Sequence, residues 1–465
     1  MDAPLSWADH RIFNGPGDPF VFAVEDASLF SLSPGAYETL RKWRTSEFID
    51  PDKIPLPELE VLEGLRDAQI LLPVSREKSL PAPLEPKNVP LSTLVLEVAQ
   101  DCNLRCTYCY AEAGTYGAAP CLLAPGTARN AVRYLLGNSG DREHVTLVFF
   151  GGEPLLNMQA VRAATSEAIS YGGKIGKEVR FSLTTNGTLL DPEIVTFLHA
   201  NRVSVTVSMD GPRHVHDRNR PDEKGNGSYS EIVSRLGPLL EDSPVPVAAR
   251  VTLVPNQWRR AVEVFDHLVG LGFHEVGISP VSPVSKALLP TACQEAELLK
   301  GFGLLARRFV ADAGKGLVMP FSNILDLLGR LHLGYTRHVS CGAGFGYMAM
   351  DAKGRFFPCH RLAGQTDFCV GSLQTGIDTD RINSCLDSLN NGRKQRCSKC
   401  WARTLCAGGC HYENHLRENL LDLPRGTSCK FIRAWLDLGM RTYAELRTAG
   451  AIEAMGRRLE GRAQC

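Results

Sequence analysis

The chain has 465 residues, 51 Lys plus Arg against 51 Asp plus Glu, and 44% hydrophobic residues. That length suits two or three globular domains, and the charge balance lacks the positive field a general nucleic-acid binder needs. No apolar run reaches eighteen residues and the start, MDAPLSWADHRIF, lacks a signal peptide's basic and apolar regions, so no membrane span or export is expected and the chain is placed in the cytoplasm.

Fifteen cysteines are present, and nine of them fall between Cys341 and Cys429, counting both ends. A chain of this size needs no disulfides to stabilise its core, and it shows no export signal. Metal thiolates are the better reading of that density.

Residues 1–85 read as a small unit. Phe20–Val24 and Ser28–Leu32 alternate around Glu25-Asp26 as a hairpin. Ser33-Pro34 opens a helix through Tyr37, Leu40 and Trp43, a second helix covers Leu56–Leu65, and Gln69–Val74 is a short apolar stretch. This order resembles the winged-helix peptide-recognition domain of ribosomal-peptide maturases, which offers a strand edge to a peptide by β-augmentation. A generic α+β cap is the plain alternative. Lys78–Pro90, rich in proline and charge, reads as a linker.

Residues 86–334 alternate strand and helix. Strands are expected at Leu94–Val98, Val145–Phe150, Val179–Thr184, Val203–Ser208, Val247–Leu253 and Glu275–Ser279. Helices are expected at Met158–Tyr171, Pro192–Ala200, Tyr229–Leu240 and Arg260–Leu271. Residues 335–465 are rich in loops and cysteine, with short strands at Gly346–Met350 and Arg355–Pro358 and a helix over Phe431–Thr448.

Just after the first of these strands stands Cys102-Asn103-Leu104-Arg105-Cys106-Thr107-Tyr108-Cys109-Tyr110. Its three cysteines suit three irons of one [4Fe–4S] cube and leave the fourth iron open to a chelating ligand. A structural zinc would call for four protein ligands, and Cys121 is the nearby spare. The C-x3-C-x2-C string, with an aromatic before the third cysteine, resembles the radical S-adenosylmethionine (SAM) enzymes. The α/β pattern then implies their partial (β/α)6 barrel, with the site at the carboxyl ends of the strands.

That resemblance carries roles to particular residues. Gly151, Gly152, Glu153 and Pro154, at the end of the second strand, match the motif that holds the SAM amino group. Thr185 and Asn186 end the third strand, near the ribose or carboxylate. Ser208 is similar to a ribose-contacting serine and Arg250 to the arginine that meets the SAM carboxylate. A charged side chain in an apolar strand needs a partner, which fits that role. Asp210 could face cofactor or substrate, or serve as a turn residue before Gly211-Pro212. The implied chemistry is reductive cleavage of SAM to a 5′-deoxyadenosyl radical, which takes a hydrogen from an unactivated carbon, the protein positioning and shielding the step.

Further on stand Cys341, Gly354-Arg355-Phe356-Phe357-Pro358-Cys359, Cys397-x2-Cys400-x5-Cys406-x3-Cys410, and Cys429. These resemble the SPASM extension of radical SAM peptide-modifying enzymes. The family pattern gives Cys397, Cys400, Cys406 and Cys429 to an outer auxiliary cluster and Cys341, Cys359 and Cys410 to an inner one. Three [4Fe–4S] clusters and SAM are therefore the implied cofactors. The inner set is one ligand short. Cys385 is the candidate fourth ligand, Cys369 the next, and an open iron the remaining alternative. Cys385 also reads as an ordinary buried thiol. His360 occupies a place where sulfatase-maturing relatives carry an aspartate base, so it is a candidate proton acceptor or a structural histidine beside the cluster.

The resemblance implies a peptide or small-protein substrate and a flavodoxin- or ferredoxin-like reductant, with no nucleic acid or membrane partner. Within the class the chain most resembles the maturases of quinohemoprotein amine dehydrogenase, which form Cys-to-Asp/Glu methylene thioethers in that enzyme's small subunit. Carbon–carbon (cyclophane) or other thioether crosslinking of a ribosomal peptide is the alternative, and a non-catalytic iron–sulfur electron-transfer scaffold a further one.

Overall fold

The computed structural model describes residues 5–46, 48–50, 53–73, 89–337, 339–389, 397–417 and 427–463. The linker expected over Lys78–Pro90 lies outside the described residues up to position 88.

The N-terminal unit contains strands β1 (Leu5–Trp7), β2 (His10–Asn14), β3 (Pro19–Ala23), β4 (Leu29–Ser31) and β5 (Leu71–Pro73). β2, β3 and β4 form an antiparallel sheet, and β1 pairs with β5. Helix α1 (Pro34–Trp43) starts where the sequence places it. The Ser33 hydroxyl accepts from the Ala36 amide at 3.2 Å, and Pro34 takes a position whose amide needs no partner. Helix α2 (Leu56–Asp67) follows. β1 and β2 are additions to the sequence reading, since their polar residues conceal the strand pattern. Alternation along β3 splits its side chains between two cores. Phe20 and Phe22 pack into the main core, whereas Val21 and Ala23 join Leu40, Leu62 and Ile70. The unit is tied to the C-terminal region by the Arg11–Asp437 ion pair at 2.6 Å, and the Arg11 guanidinium sits 4.4 Å over the Trp401 ring.

The central sheet holds β6 (Thr93–Gln100), β8 (His144–Gly151), β9 (Glu178–Thr185), β10 (Ser204–Ser208), β11 (Ala248–Leu253) and β12 (Glu275–Pro280), all parallel and adjacent in chain order. The two-residue strand β7 (Cys121–Leu122) pairs antiparallel with the end of β6. Each of the six strands read from the sequence is present. Two of the helices between them are capped by local side chains: Asn157 accepts from Ala160 at 3.3 Å and Asp191 from Ile194 at 2.7 Å. A seventh parallel strand, β13 (Tyr347–Met350), comes from the C-terminal region and pairs with β6, and β14 (Arg355–Phe357) adds to it antiparallel. The sheet therefore runs through position 334, where the sequence pattern changes.

The two faces of this sheet differ. Outward residues such as Leu147, Phe149, Leu183, Val207, Val251 and Ile278 are fully buried under the helices. Each contributes about 1.5–3 kcal/mol of transfer free energy relative to exposure. Over β9–β12 the inner face is mostly small or polar: Thr184 is level with Thr206 and Ala248, and Ser208 with Arg250 and Gly277. Such a face leaves room for a ligand at the carboxyl ends of the strands. No helix of the described residues is long and apolar enough to cross a membrane.

Candidate active site

The cysteine loop leaves β6 and is pinned at several points. Asp101 Oδ1 accepts from the Cys102 amide at 2.8 Å. The amides of Arg105 and Thr107 donate to the carbonyls of Pro221 and Asn219 at 2.7 and 2.9 Å. Tyr108 accepts from Arg220 Nη1 at 2.8 Å and donates to Asp210 Oδ2 at 2.9 Å. Burial, with Glu153, Cys106 and Cys109 adding to it, pushes the Cys102 thiol up to about 12. The Cys106 thiol is also raised by burial, with Arg220 opposing. Three neighbouring thiols in one loop are the donor set of a cationic cluster. Among the described residues no three His, Cys, Asp or Glu side chains could hold a single metal ion. A cubane asks instead for one thiolate on each of several irons, and this loop fits that requirement.

Gly151-Gly152 lies directly against the strand end that leads into the loop. A Cβ on Gly151 (φ +136°) would stand 2.2 Å from the Ala99 carbonyl oxygen, and one on Gly152 would stand 2.2 Å from that of Asp101. Glycine is therefore required by backbone approach at both positions. Glu153 is fully buried, and its carboxylate binds the protein itself. Oε1 accepts from the Leu155 amide at 3.0 Å and Thr185 Oγ1 at 2.7 Å, and Oε2 accepts from the Asn186 amide at 2.7 Å. Asn186 then donates to Asn103 Oδ1 at 2.8 Å and Cys102 Sγ at 3.8 Å. Asn103 closes the set by donating to Thr188 at 2.8 Å. The glutamate thus joins the end of β9 to the cysteine loop and keeps one acceptor position on Oε2 for a ligand. Burial raises its carboxyl to about 7, against the pull of those hydrogen bonds.

Arg250 projects from β11 beside Ser208 into the concave face. Its side chain is walled by the cavity yet reached by solvent, and among the described residues that side chain has no hydrogen bond or ion pair. Burial by the surrounding walls lowers its pKa, and Arg361 adds to this. An unpartnered guanidinium at the rim of a polar cavity suits a carboxylate ligand. Asp210, in contrast, is fully buried and bonded on both oxygens, by Thr252 N at 3.0 Å on Oδ1 and by Tyr108 and Asn219 on Oδ2. It acts as a junction between the cysteine loop, β11 and the segment around Asn219.

The C-terminal cysteines separate into groups. Burial pushes Cys406 up to about 11, and its thiol neighbours are Cys397, Cys429 and Cys400. Burial pushes Cys359 up to about 12, and its thiol neighbours are Cys410 and Cys341. Cys385 is placed elsewhere: it is buried in the core, its thiol 3.7 Å from the Asp367 carbonyl, and Cys369 is its thiol neighbour. His360 is held by Tyr347, with 2.6 Å between Nδ1 and the hydroxyl, and packs 4.8 Å from the Phe150 ring. Burial lowers it to about 3, with Arg361 adding to the effect, so it is neutral.

Two features escaped the sequence reading. Glu97 points inward from β6, level with Phe150, fully buried and without a well-formed hydrogen bond on either oxygen. Burial holds its carboxyl well above the usual range, with the Tyr116 hydroxyl opposing. A carboxylate inside an apolar strand was the available signal, the same one that marked Arg250. Tyr116 sits in a loop where Glu112, Ala113, Gly114, Tyr116 and Gly117 all have positive φ. Three of these are not glycine, and each costs of order 1–3 kcal/mol. Arg361, beside the Cys359 group, is the second.

The Radical SAM superfamily model matches residues 96–268. The cysteine-type anaerobic sulfatase-maturating enzyme of Clostridium perfringens is 25% identical over 341 residues, 69% of this chain and 89% of that protein. The serine-type enzyme of Klebsiella aerogenes is 22% identical over 345 residues, 72% of this chain and 83% of that protein. Among solved structures, anSMEcpe with bound AdoMet aligns with TM-score 0.66 at 21% identity, covering 78% of this chain and all of that one. Streptococcus suis SuiB bound to its precursor peptide SuiA aligns with TM-score 0.52 at 13% identity, covering 92% of this chain and all of that one. The fold is a radical SAM (β/α) core with a small N-terminal domain and a cysteine-rich C-terminal region of SPASM type. The chain is a radical SAM enzyme.

Proposed function

We propose that this enzyme modifies a peptide or small protein, and that it does so by oxidative crosslinking. The observation that carries the reading is the grouping of cysteines into one three-thiolate loop at the barrel mouth and two further sets in the C-terminal region. Cys102, Cys106 and Cys109 would hold the SAM-binding cluster, Cys397, Cys400, Cys406 and Cys429 an outer auxiliary cluster, and Cys341, Cys359 and Cys410 an inner one. When bound, SAM and its cluster supply reductive carbon–sulfur cleavage and a hydrogen-abstracting radical. The chain's own residues do the rest. Arg250 anchors the SAM carboxylate, Ser208 lies beside it at the ribose, and the Gly151–Pro154 backbone meets the amino group. Glu153, Thr185 and Asn186 hold that backbone against the cysteine loop. The polar inner face and the C-terminal region enclose the cavity and exclude water.

The relatives support a peptide or protein substrate, since SuiB is solved with a precursor peptide and the sulfatase-maturating enzymes act on proteins by name. The N-terminal sheet is the proposed docking edge for such a substrate. Cys-to-Asp/Glu thioether formation in an amine dehydrogenase small subunit is the narrower form of the proposal, and carbon–carbon or other thioether crosslinking of a ribosomal peptide is the alternative, which the peptide-bound relative supports better. The relatives name neither reaction. The test is anaerobic incubation of the cluster-reconstituted enzyme with SAM, reductant and a candidate peptide encoded nearby. A loss of two hydrogens per crosslink with cysteines no longer alkylatable supports the thioether. The same loss with all cysteines alkylatable selects carbon–carbon coupling. Absence of 5′-deoxyadenosine under strong reduction refutes the radical reading.

A further inference from the structure

We propose that Arg361 sets the reduction potential of the inner auxiliary cluster by donating a guanidinium hydrogen bond to the sulfur of Cys410. The inference rests on the inner ligand set of Cys341, Cys359 and Cys410 given above. Arg361 Nη1 lies 3.9 Å from Cys410 Sγ, within hydrogen-bond reach of sulfur. The same nitrogen is 3.5 Å from Glu413 Oε1, and Glu413 is held in turn by Ser282 Oγ at 2.7 Å. The guanidinium also lies over two rings, 5.1 Å from the Tyr110 centroid and 5.4 Å from that of Tyr412. Tyr110 follows Cys109 in the first cluster loop, and Tyr412 lies two residues after Cys410. The cation is therefore clamped by groups from both cysteine sites and from the barrel, and its donor is aimed at one cluster sulfur.

A donor and a positive charge at a cluster sulfur stabilise the reduced, more negative cluster and raise its potential. A crosslinking enzyme must remove one electron after hydrogen abstraction, so a cluster made easier to reduce is the useful one. Glu413 opposes the effect, since its carboxylate partly offsets the guanidinium charge. The arrangement thus has one residue that raises the potential and one that limits the rise.

The experiment uses the full chain, reconstituted anaerobically with iron and sulfide, carrying C102A/C106A/C109A so that auxiliary signals alone remain. Iron and sulfide per chain are measured, and each midpoint is read by paramagnetic resonance during a redox titration. R361M is expected to retain the iron of both auxiliary clusters and to move one midpoint negative. R361K, which keeps the charge without the planar fork, is expected to fall between R361M and the parent. E413Q is expected to move the same midpoint positive. Unchanged midpoints in iron-replete R361M overturn the proposal. So does loss of one cluster's iron in both R361M and R361K, because Arg361 is then a scaffold residue. Full iron retention in C341A and C359A overturns the inner ligand set itself, and with it the proposal. That outcome is distinct from a failure of Arg361 alone.

Discussion

Replacing Glu153 with glutamine isolates the role of the buried carboxylate. The carboxylate accepts three protein hydrogen bonds, from Leu155 N, Thr185 Oγ1 and Asn186 N. Glutamine offers one oxygen and one donor group. With its oxygen in the Oε1 position, the NH2 faces the Asn186 amide, donor against donor. With the amide flipped, the Leu155 amide loses its acceptor instead. Either way one buried backbone N–H is orphaned, at a cost of about 1–3 kcal/mol. The strain falls on Asn186, which touches both Asn103 and Cys102. If that cost is met when the site closes on SAM, affinity falls about five- to 150-fold, since about 1.4 kcal/mol is tenfold. Equilibrium dialysis of SAM against the cluster-reconstituted enzyme, with iron content as a control, is the assay. Unchanged SAM affinity in iron-replete E153Q would refute the view that this carboxylate organises the site.

The same residue gives a pH prediction. Burial lifts its folded pKa to about 7, above the ordinary carboxyl value of 4.5 that it has when unfolded. Its contribution to stability is therefore greatest below the lower value, declines as pH rises between the two, and is level above the upper one. A urea titration series across that window should show a decline in the parent that is smaller in E153Q, and an equal decline in both would refute the assignment. Arg250→Met removes an unpartnered guanidinium of the cavity rim, so SAM should bind more weakly by about ten- to 150-fold, the worth of a charged hydrogen bond; dialysis measures it, and unchanged binding refutes the carboxylate role. Cys385→Ala should leave iron content unchanged, whereas Cys359→Ala should lose one cluster's iron; loss of iron in C385A would restore it as a ligand. Tyr108→Phe removes the hydroxyl between Arg220 and Asp210 and should lower the thermal midpoint by an amount corresponding to about 1–3 kcal/mol; an unchanged melt would show the network to be dispensable.

The cysteine spacings were legible because ligands of one loop are neighbours in the chain. C-x3-C-x2-C converges wherever the loop sits, and strand and helix boundaries follow from local alternation and caps such as Ser33, Asn157 and Asp191. The residues that Gly151 and Gly152 approach, and the partners of Glu153, depend on strands far apart in sequence. So do the enclosure of Asp210 and the orientation of Arg250.

The sequence alone determined the radical SAM core, its six strands in order and the cysteine content of the C-terminal region, since periodicity and short-range ligand spacing are properties of the chain itself. Only the tertiary structure decided that β13 returns to pair with β6, that Cys385 sits with Cys369, and that Arg361 meets Cys410. Each of these is a contact between segments whose meeting depends on how the whole sheet and its covering elements pack. No local pattern of residues encodes that meeting.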